Sequence, residues 1–574
     1  MASISLKRSS SGWARFFPCL TWIPKINRQT LKADFVAGLT VALVAIPQSL
    51  AYAQLAGVPA YYGLYAALLP VIVGALFGSS PILSTGPVAM TSLLTAASVM
   101  SIAHPHTEQF YSGVILIALL SGIFQIGLGL ARLGRIINFL SYPVLHGFIN
   151  AAAIIIGLSQ LPAMLGIAQG QKSGHFLVDI FHVVERWHDV HILSICFGIT
   201  ALALLLILKK TAPKFPAVLL VVSLATLVSW LIGFETDGGA VVGAIPRGLP
   251  NLSMPDIDYR AAAHLGPASF IIAIISFMEA MSSSKIIAIK TRTRWDENQE
   301  LIGQGMAKIV AAFSHSMPVS GSFSRSALNL IAGAKTGLAS VFSAGMVLIV
   351  LLFCTPLLYH LPKPVLSAVI MAAVFNLINF RQFMMAWVAR KDDGVAAVVT
   401  FIATLMVAPN IQNGILTGII LSLIMFLYRT MKPEVIILGK DENGVLRDAR
   451  RYNLPKLHPR LIAIRFSGHL YFANVSYIND SVLKIIGNDP NLQIILIECG
   501  GINSLDASGV EMFINLHERL QIAGITLAFC NLRDNVAEII QRTGLDKIIG
   551  PENIFVSENQ ALEALNRRLN GENQ

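Results

Sequence analysis

Ser80-Pro81-Ile82-Leu83-Ser84-Thr85-Gly86-Pro87 and Met317-Pro318-Val319-Ser320-Gly321-Ser322-Phe323-Ser324 are two helix-breaking stretches, each followed by an apolar run too short to cross a bilayer. Gly86 and Gly321 lie 235 positions apart, and Pro47, which opens a second break at Pro47-Gln48-Ser49, lies 232 positions before Glu279. Two interruptions at nearly one offset imply two copies of a common unit. Irregular backbone at membrane depth survives only where protein or a water-filled cavity satisfies it. Interrupted segments at matching positions of two halves are therefore the sequence pointer to a transporter's binding site.

The surrounding composition fits that reading. Of 574 residues, 54% are hydrophobic and only 13% charged, against roughly 25% charged in soluble domains. This excludes an ordinary soluble enzyme and, with Gly and Pro scattered, a disordered or fibrous chain. Apolar segments recur at 34–55, 61–78, 87–103, 109–131, 138–162, 190–209, 216–233, 266–289, 299–315, 324–334, 338–359, 364–379, 393–408 and 412–430. Several are shorter than the roughly 20 residues of a full span. About fourteen spans divide into two sevens, and an odd number inverts the second unit, giving a 7+7 inverted repeat. The net charge of +10 concentrates in loops expected on the cytoplasmic side: Arg132 and Arg135; Lys209, Lys210 and Lys214; Lys285, Lys290, Arg292 and Arg294; Arg381, Arg390 and Lys391. That asymmetry is topology rather than nucleic-acid binding; an even span count puts both termini on the same cytoplasmic side as these loops, and the inner (plasma) membrane is the expected location.

Residues 1–32 mix Lys7, Arg8, Arg15, Lys25 and Arg28 with Trp13, Phe16, Phe17 and Trp22, an interfacial segment rather than a signal peptide. The transport unit is expected over 33–431, a polar connector over 432–455 and a small α/β domain over 456–574. In that last unit Leu461–Phe466, Leu470–Phe472, Leu492–Glu498 and Thr526–Asn531 read as strands, and Ser476–Asn488, Ser508–Ala523 and Val536–Thr543 as helices. Five widely spaced cysteines form neither a disulfide framework nor a zinc site.

An anion crossing a bilayer exchanges its hydration shell for fixed donors, and helix N-termini supply them without a mobile cation. Two short helices starting near Gly86 and Ser322, positive ends facing at mid-membrane, would form such a cradle. Arg325 follows directly in a stretch otherwise free of charge; a cation there costs ~2.5–3.5 kcal/mol even on the lenient insertion scale. It is expected to add positive field to the anion, with pairing to Glu279 or capping of carbonyls as the structural alternatives. Glu279 stands alone in Phe270–Met281, an apolar helix, where a carboxyl group can bind and release a proton. Sodium is the rival coupling ion, with Ser283 one turn on as an oxygen ligand.

Pro59-Ala60-Tyr61-Tyr62-Gly63-Leu64-Tyr65, with Asp34-Phe35-Val36-Ala37-Gly38-Leu39-Thr40, Ile46-Pro47-Gln48-Ser49 and Gly321-Ser322-Phe323-Ser324-Arg325-Ser326-Ala327-Leu328-Asn329, resembles the SulP family of anion transporters, closest to its sulfate-permease branch. The C-terminal unit resembles that family's STAS domain. The resemblance implies substrate contacts at Gln48, Tyr52, Gly86, Val88, Ser322, Phe323, Ser324 and Arg325. Gln48 and Ser324 would donate hydrogen bonds, while Tyr52, Val88 and Phe323 would shape and dry the pocket. It also implies a proton-coupling acid at Glu279, a regulatory position at Ser508, a homodimer, and a core (spans 1–4 and 8–11) moving elevator-fashion against a gate (spans 5–7 and 12–14).

Other residues receive plain structural readings. His104, His106 and His315 have no metal-ligand partners, and Gly127 and Gly129 lie within a span, where helix packing is the natural use. Asp506 or Ser508 caps the helix that follows. No Walker loop and no nucleophile–base set occurs, so neither an ATP-driven pump nor an enzyme is expected, and no resident cofactor beyond a coupling H+ or Na+. The function expected is secondary active, proton-coupled sulfate symport. Bicarbonate with sodium, chloride/bicarbonate exchange and dicarboxylate transport stay open, as does, from another class, a membrane-tethered sensor signalling through the C-terminal domain.

Overall fold

A computed structural model describes residues 17–105, 107–134, 141–167, 176–212, 216–375 and 377–571. His106, Arg135, Lys214 and most of the N-terminal interfacial segment lie outside the described residues. The chain divides into two compact units, Met1–Ser422 and Leu423–Gln574.

Among the described residues every expected span overlaps helix. The helices are α1 Arg28–Leu55, the broken pair α2 Ala60–Ala66 and α3 Leu69–Phe77, α4 Ala89–Val99, α5 Glu108–Leu130, α6 Tyr142–Ser159, α7 Ile192–Thr211 and α8 Ala217–Ile232. They continue with α9 Tyr259–Thr291, α10 Glu297–Phe313, α11 Phe323–Ile331, α12 Leu338–Leu358, α13 Lys363–Val374, α14 Lys391–Val407 and α15 Ile411–Met431. Among the described residues eight segments are long and apolar enough to span alone, and α4, α8 and α13 are shorter apolar helices. With a rise of ~1.5 Å per residue, the 11 residues of α4 and the 9 of α11 cover about half of a ~30 Å hydrocarbon core.

Local sequence explains several boundaries. Asn27 opens α1 with a capping box: its Oδ1 accepts from Gln29 N at 3.0 Å and Thr30 N at 2.9 Å, while Thr30 Oγ1 accepts from Asn27 N at 2.8 Å. Asp34 is fully buried and accepts from Lys335 N at 2.6 Å, Thr336 N at 3.1 Å and Thr336 Oγ1 at 2.5 Å. That carboxylate ties the start of α1 to the loop after α11. Gly129 fulfils its packing role, since a Cβ there would lie 2.8 Å from Asn298 O of α10, whereas Gly127 faces open space.

Helix neighbours form two sets, with α1 also packing on α8 and α13. α5 packs on α9 and α10, α3 on α10 and α1 on α12; separately, α6 packs on α14 and α7 on α13. An apolar cavity of about 620 Å³ lies between α1, α8 and α12, lined by residues such as Ile46, Leu50, Leu227, Trp230 and Met346.

The second unit is a mixed sheet, in the order β4-β3-β5-β6-β8-β9 with β7 on β5: β3 Glu434–Lys440, β4 Leu446–Asp448, β5 Leu461–Leu470, β6 Ile494–Glu498, β7 Ile502–Leu505, β8 Thr526–Cys530 and β9 Ile554–Phe555. Helices α16 Val475–Gly487, α17 Ala507–Ile522 and α18 Asp534–Thr543 cover one face, and α19 Glu558–Asn570 the other. Alternation along the strands feeds both cores: Ile462, Ile464, Phe466, Ile495, Ile497 and Phe529 turn one way, and Leu461, Ala463, Leu496 and Ala528 the other.

Two expectations change here. The stretch 432–455 is not simply a connector, because Glu434–Leu438 pairs antiparallel with Ala463–Ser467 and β4 pairs with β3. The apolar run Val435–Leu438 is hidden in sequence by flanking charges, yet Val435 and Ile437 pack on the sheet's core. Of the strand expected over Leu470–Phe472 only Leu470 is strand, as the last residue of β5; Phe472 is 75% exposed.

Cys499 and Cys530 are buried at the ends of β6 and β8. Burial pushes both thiols up, Cys530 to about 12, with the charge of Glu498 acting in the same direction on each. An ordinary thiol ionises near ~8.5, so this contribution to stability is complete below about pH 8.5 and is lost as pH rises toward 12. Alkylation by iodoacetamide at pH 7.5, mapped by mass spectrometry, is expected to spare both cysteines in the folded chain and to reach them after denaturation. Modification of Cys530 in the native protein would contradict this.

Candidate functional site

The two interrupted stretches meet. β1 Thr85–Gly86 and β2 Ser320–Gly321 form an antiparallel pair, Thr85 opposite Gly321 and Gly86 opposite Ser320. Ser322 N also donates to Ser84 O at 2.8 Å, and Ser326 Oγ accepts from Ser84 N at 2.8 Å. α4 and α11 leave this two-strand crossing in opposite senses, so their N-termini flank one point.

The two N-termini differ in how their N–H groups are used. Val88 occupies the N-cap of α4 and offers no side-chain acceptor, so the first-turn N–H groups remain available. On α11 the cap is Ser322, whose Oγ accepts from Arg325 N at 3.4 Å; the N–H groups of Phe323 and Ser324 remain. Together they form the concavity of donors that an anion requires.

Arg325 closes that concavity from behind. The side chain is 2% exposed. Its Nη1 donates to Pro87 O at 2.8 Å, while Nη2 is buried without a partner. Gly86 has φ +152°, and a Cβ there would stand 3.0 Å from Nη2. Only glycine leaves room for the guanidinium to lie against this backbone. No ion pair joins Arg325 to Glu279 among the described residues; of the structural alternatives, capping of a carbonyl is the one seen, and it engages one end of the fork only.

Other expected contacts fall around the same point with different exposures. Tyr52 (6% exposed) and Gln48 (7%) face inward from α1, and Tyr52 feels the charges of both Arg325 and Glu279. Gln48 Oε1, Ser49 Oγ, Thr91 Oγ1 and Ser92 Oγ are buried without partners. Val88 is half-buried and Ser324 exposed, its Oγ 3.4 Å from Ser322 Oγ. Phe323, expected to dry the pocket, is the first residue of α11 and is 57% exposed.

Glu279 sits on α9 beside β2, with Oε2 lacking a hydrogen-bond partner. Ser283 Oγ donates to Glu279 O at 3.1 Å, which satisfies that hydroxyl along its own helix. Lys308 escaped the sequence reading. It is completely buried on α10, its Nζ donates to Ser276 Oγ, and its charge acts on Glu279. Glu300, also fully buried, accepts from Ser80 N at 2.9 Å and Gln304 Nε2 at 3.0 Å, anchoring the loop before β1. Both Glu300 and Lys308 lie inside the segment expected over 299–315, beside its polar start Glu297–Gln304. A 3.6-residue count from Leu301 would have placed Lys308 on the buried face.

His315 Nε2 meets Ser253 Oγ at 2.5 Å, His104 is exposed, and no cluster of metal-ligating residues occurs among the described residues. Asp506, not Ser508, caps α17: its Oδ1 accepts from Gly509 N at 2.9 Å. Ser508 is half-buried in the first turn.

Comparison with known proteins fits this geometry. Residues 31–425 match the sulfate permease family and residues 454–561 the STAS domain. The chain belongs to the sulfate permease family. It is 32% identical to the probable sulfate transporter 4.2 of Arabidopsis thaliana over 95% of this chain and 83% of that one, and 32% identical to the chloroplastic sulfate transporter 4.1 of the same plant over 95% and 82%. High affinity sulfate transporter 2 of Stylosanthes hamata is 30% identical over 95% and 86%. In fold it resembles the murine Slc26a9 anion transporter in its inward-facing state (TM-score 0.88, 22% identity, 98% of this chain and 97% of that one). The transmembrane domain of the cyanobacterial bicarbonate transporter BicA matches less completely (TM-score 0.60, 22% identity, 69% and 98%). This sulfate permease family member is a multi-pass membrane transporter of small inorganic anions with a STAS domain, and not an enzyme.

Proposed function

We propose that the chain carries sulfate across its membrane by proton-coupled symport, the anion held between the N-termini of α4 and α11. The observation that carries this reading is the unpartnered Nη2 of Arg325 lying against Gly86 where the two half-helices meet. A buried guanidinium donor without a partner costs free energy unless an acceptor completes it, and a doubly charged oxyanion does so while also taking backbone N–H groups. The family's named sulfate transporters point to the same substrate. Glu279 is the proposed proton carrier: a carboxyl group near the cradle with an oxygen left unpaired, able to move a proton with the anion and offset its charge. Sodium with Ser283 is the weaker reading, since Ser283 Oγ already bonds Glu279 O.

Motion of a core against a gate is proposed on the packing of the helices. The half-helices and Glu279 all belong to one packing group, and the apolar cavity between α1, α8 and α12 leaves a loosely filled seam between the groups. A homodimer, cytoplasmic termini in the plasma membrane and a regulatory part for Ser508 complete the proposal, resting on the basic loops and on the STAS domain.

The test is uptake of labelled sulfate into proteoliposomes, competed with bicarbonate, chloride, nitrate and succinate. Sulfate accumulation driven by an inward proton gradient and unaffected by sodium is the expected result. Absence of sulfate uptake under every gradient refutes the substrate, and sodium-dependent uptake refutes the coupling ion.

A further inference from the structure

Lys308 is not part of the cradle, yet hydrogen bonds through Ser276 and Ser320 link it to the β1–β2 crossing. Its side chain is wholly buried, and its Nζ donates to Ser276 Oγ, using one of three ammonium donors. Ser276 is held in place by Gln125 Nε2 at 3.1 Å and by its own bond to Ile272 O at 2.6 Å. The backbone oxygen of Ser276 accepts from Ser320 Oγ at 2.7 Å, and Ser320 is the strand partner of Gly86. Two residues thus separate the ammonium group from the floor of the cradle. Glu279, one turn beyond Ser276, feels the fields of both Lys308 and Arg325.

The charged groups gathered on the elements around α9 are Glu279 itself, Lys308 on α10 and Arg325 on α11, with Tyr52 facing them from α1. Glu300 is two turns before Lys308 and is occupied by Ser80 N and Gln304. With Lys308 and Arg325 both protonated, the site carries a charge of +1 when Glu279 is ionised and +2 when Glu279 is protonated. A sulfate entering with one proton therefore meets an equal and opposite charge. With Arg325 as the only cation, the same loaded site would hold an excess negative charge at membrane depth, and a monovalent anion would be the neutral load instead.

We propose that Lys308 is a specificity-determining residue: the second fixed positive charge beneath the β1–β2 crossing, which makes the site prefer a divalent over a monovalent oxyanion. It acts through field rather than contact. The proposal rests on the sulfate reading above, and the experiment separates the two.

The measurement is the ratio of apparent affinities for sulfate and nitrate in proteoliposomes containing the full chain, from uptake of labelled sulfate competed by nitrate. Wild-type protein without preference for sulfate over nitrate refutes the sulfate reading before any variant is made. Given that preference, Lys308→Met and Lys308→Gln are expected to lower the sulfate-to-nitrate ratio about tenfold or more, as removal of one charge acting on anions of different valence requires. Lys308→Arg is expected to keep the ratio. A purely structural lysine would weaken both anions alike, so an unchanged ratio in a monodisperse neutral variant overturns the proposal. Where the neutral substitutions do not yield folded protein, the same pair is measured in the Glu279→Gln background, which removes the acid left without its counter-charge. The ratio there is expected to fall relative to Glu279→Gln alone. An equal ratio, or failure of that double variant to fold while Glu279→Gln and Lys308→Arg do, assigns Lys308 a structural part and overturns the proposal.

Discussion

Arg325→Ala is expected to reduce sulfate uptake into proteoliposomes about 100-fold while leaving the protein monodisperse. Two losses combine. The anion forfeits a charge-assisted hydrogen bond from Nη2, worth ~1.5–3 kcal/mol, or roughly 10- to 150-fold in affinity. Pro87 O, bonded by Nη1 at 2.8 Å, is also left without its donor at the crossing that aligns α4 with α11. Arg325→Lys tests the division of labour. A point charge keeps the field but cannot lie flat against Gly86 and reach Pro87 O with a fixed fork, so intermediate uptake is expected. Uptake by Arg325→Ala within a factor of two of the native protein would remove Arg325 from the site. The control is thermal stability in detergent, because loss of a buried cation relieves as well as creates strain.

Glu279→Gln is the second large effect, and it acts on coupling more than on binding. Exchange of internal for external sulfate is expected to persist, since the amide preserves shape and leaves the cradle's donors in place. Response to an imposed proton gradient is expected to vanish. One co-transported proton converts one pH unit into ~1.4 kcal/mol, or about tenfold in accumulation, so native vesicles should gain up to that factor and the variant none. A variant that still accumulates sulfate on acidification of the outside locates the coupling proton elsewhere.

Much of this arrangement is legible in the chain. The spacing of Gly86 and Gly321 anticipated two half-helices at matching positions, and the strand pair places Thr85 opposite that same Gly321. Glycine, proline and serine at those points break helices by local rules, so distance along the chain did not matter. The alternation in Leu461–Phe466, Leu492–Glu498 and Thr526–Asn531 likewise marked three strands of the C-terminal sheet. β3 escaped because pairing with β5, more than 20 positions later, makes Val435–Leu438 a strand; nothing local distinguishes it from the end of a helix and its linker.

The site divides along the same line. Arg325 and Glu279 stand out by themselves, as isolated charges in apolar surroundings. Lys308, Glu300 and Asp34 lie inside the expected segments 299–315 and 34–55, but what each faces is set only by its partners: Ser276 for Lys308, Ser80 N for Glu300, and Thr336 for Asp34. Sequence by itself determined the membrane class, the repeat and the two interruptions, since hydrophobic runs and helix breakers act on the residues next to them. Tertiary structure alone decided what each buried charge faces, that one prong of Arg325 is committed to Pro87 O while the other is free, and that the buried Lys308 is joined to the β1–β2 crossing through Ser276 and Ser320. Coulomb energy and desolvation depend on distance in space, which a linear chain does not encode.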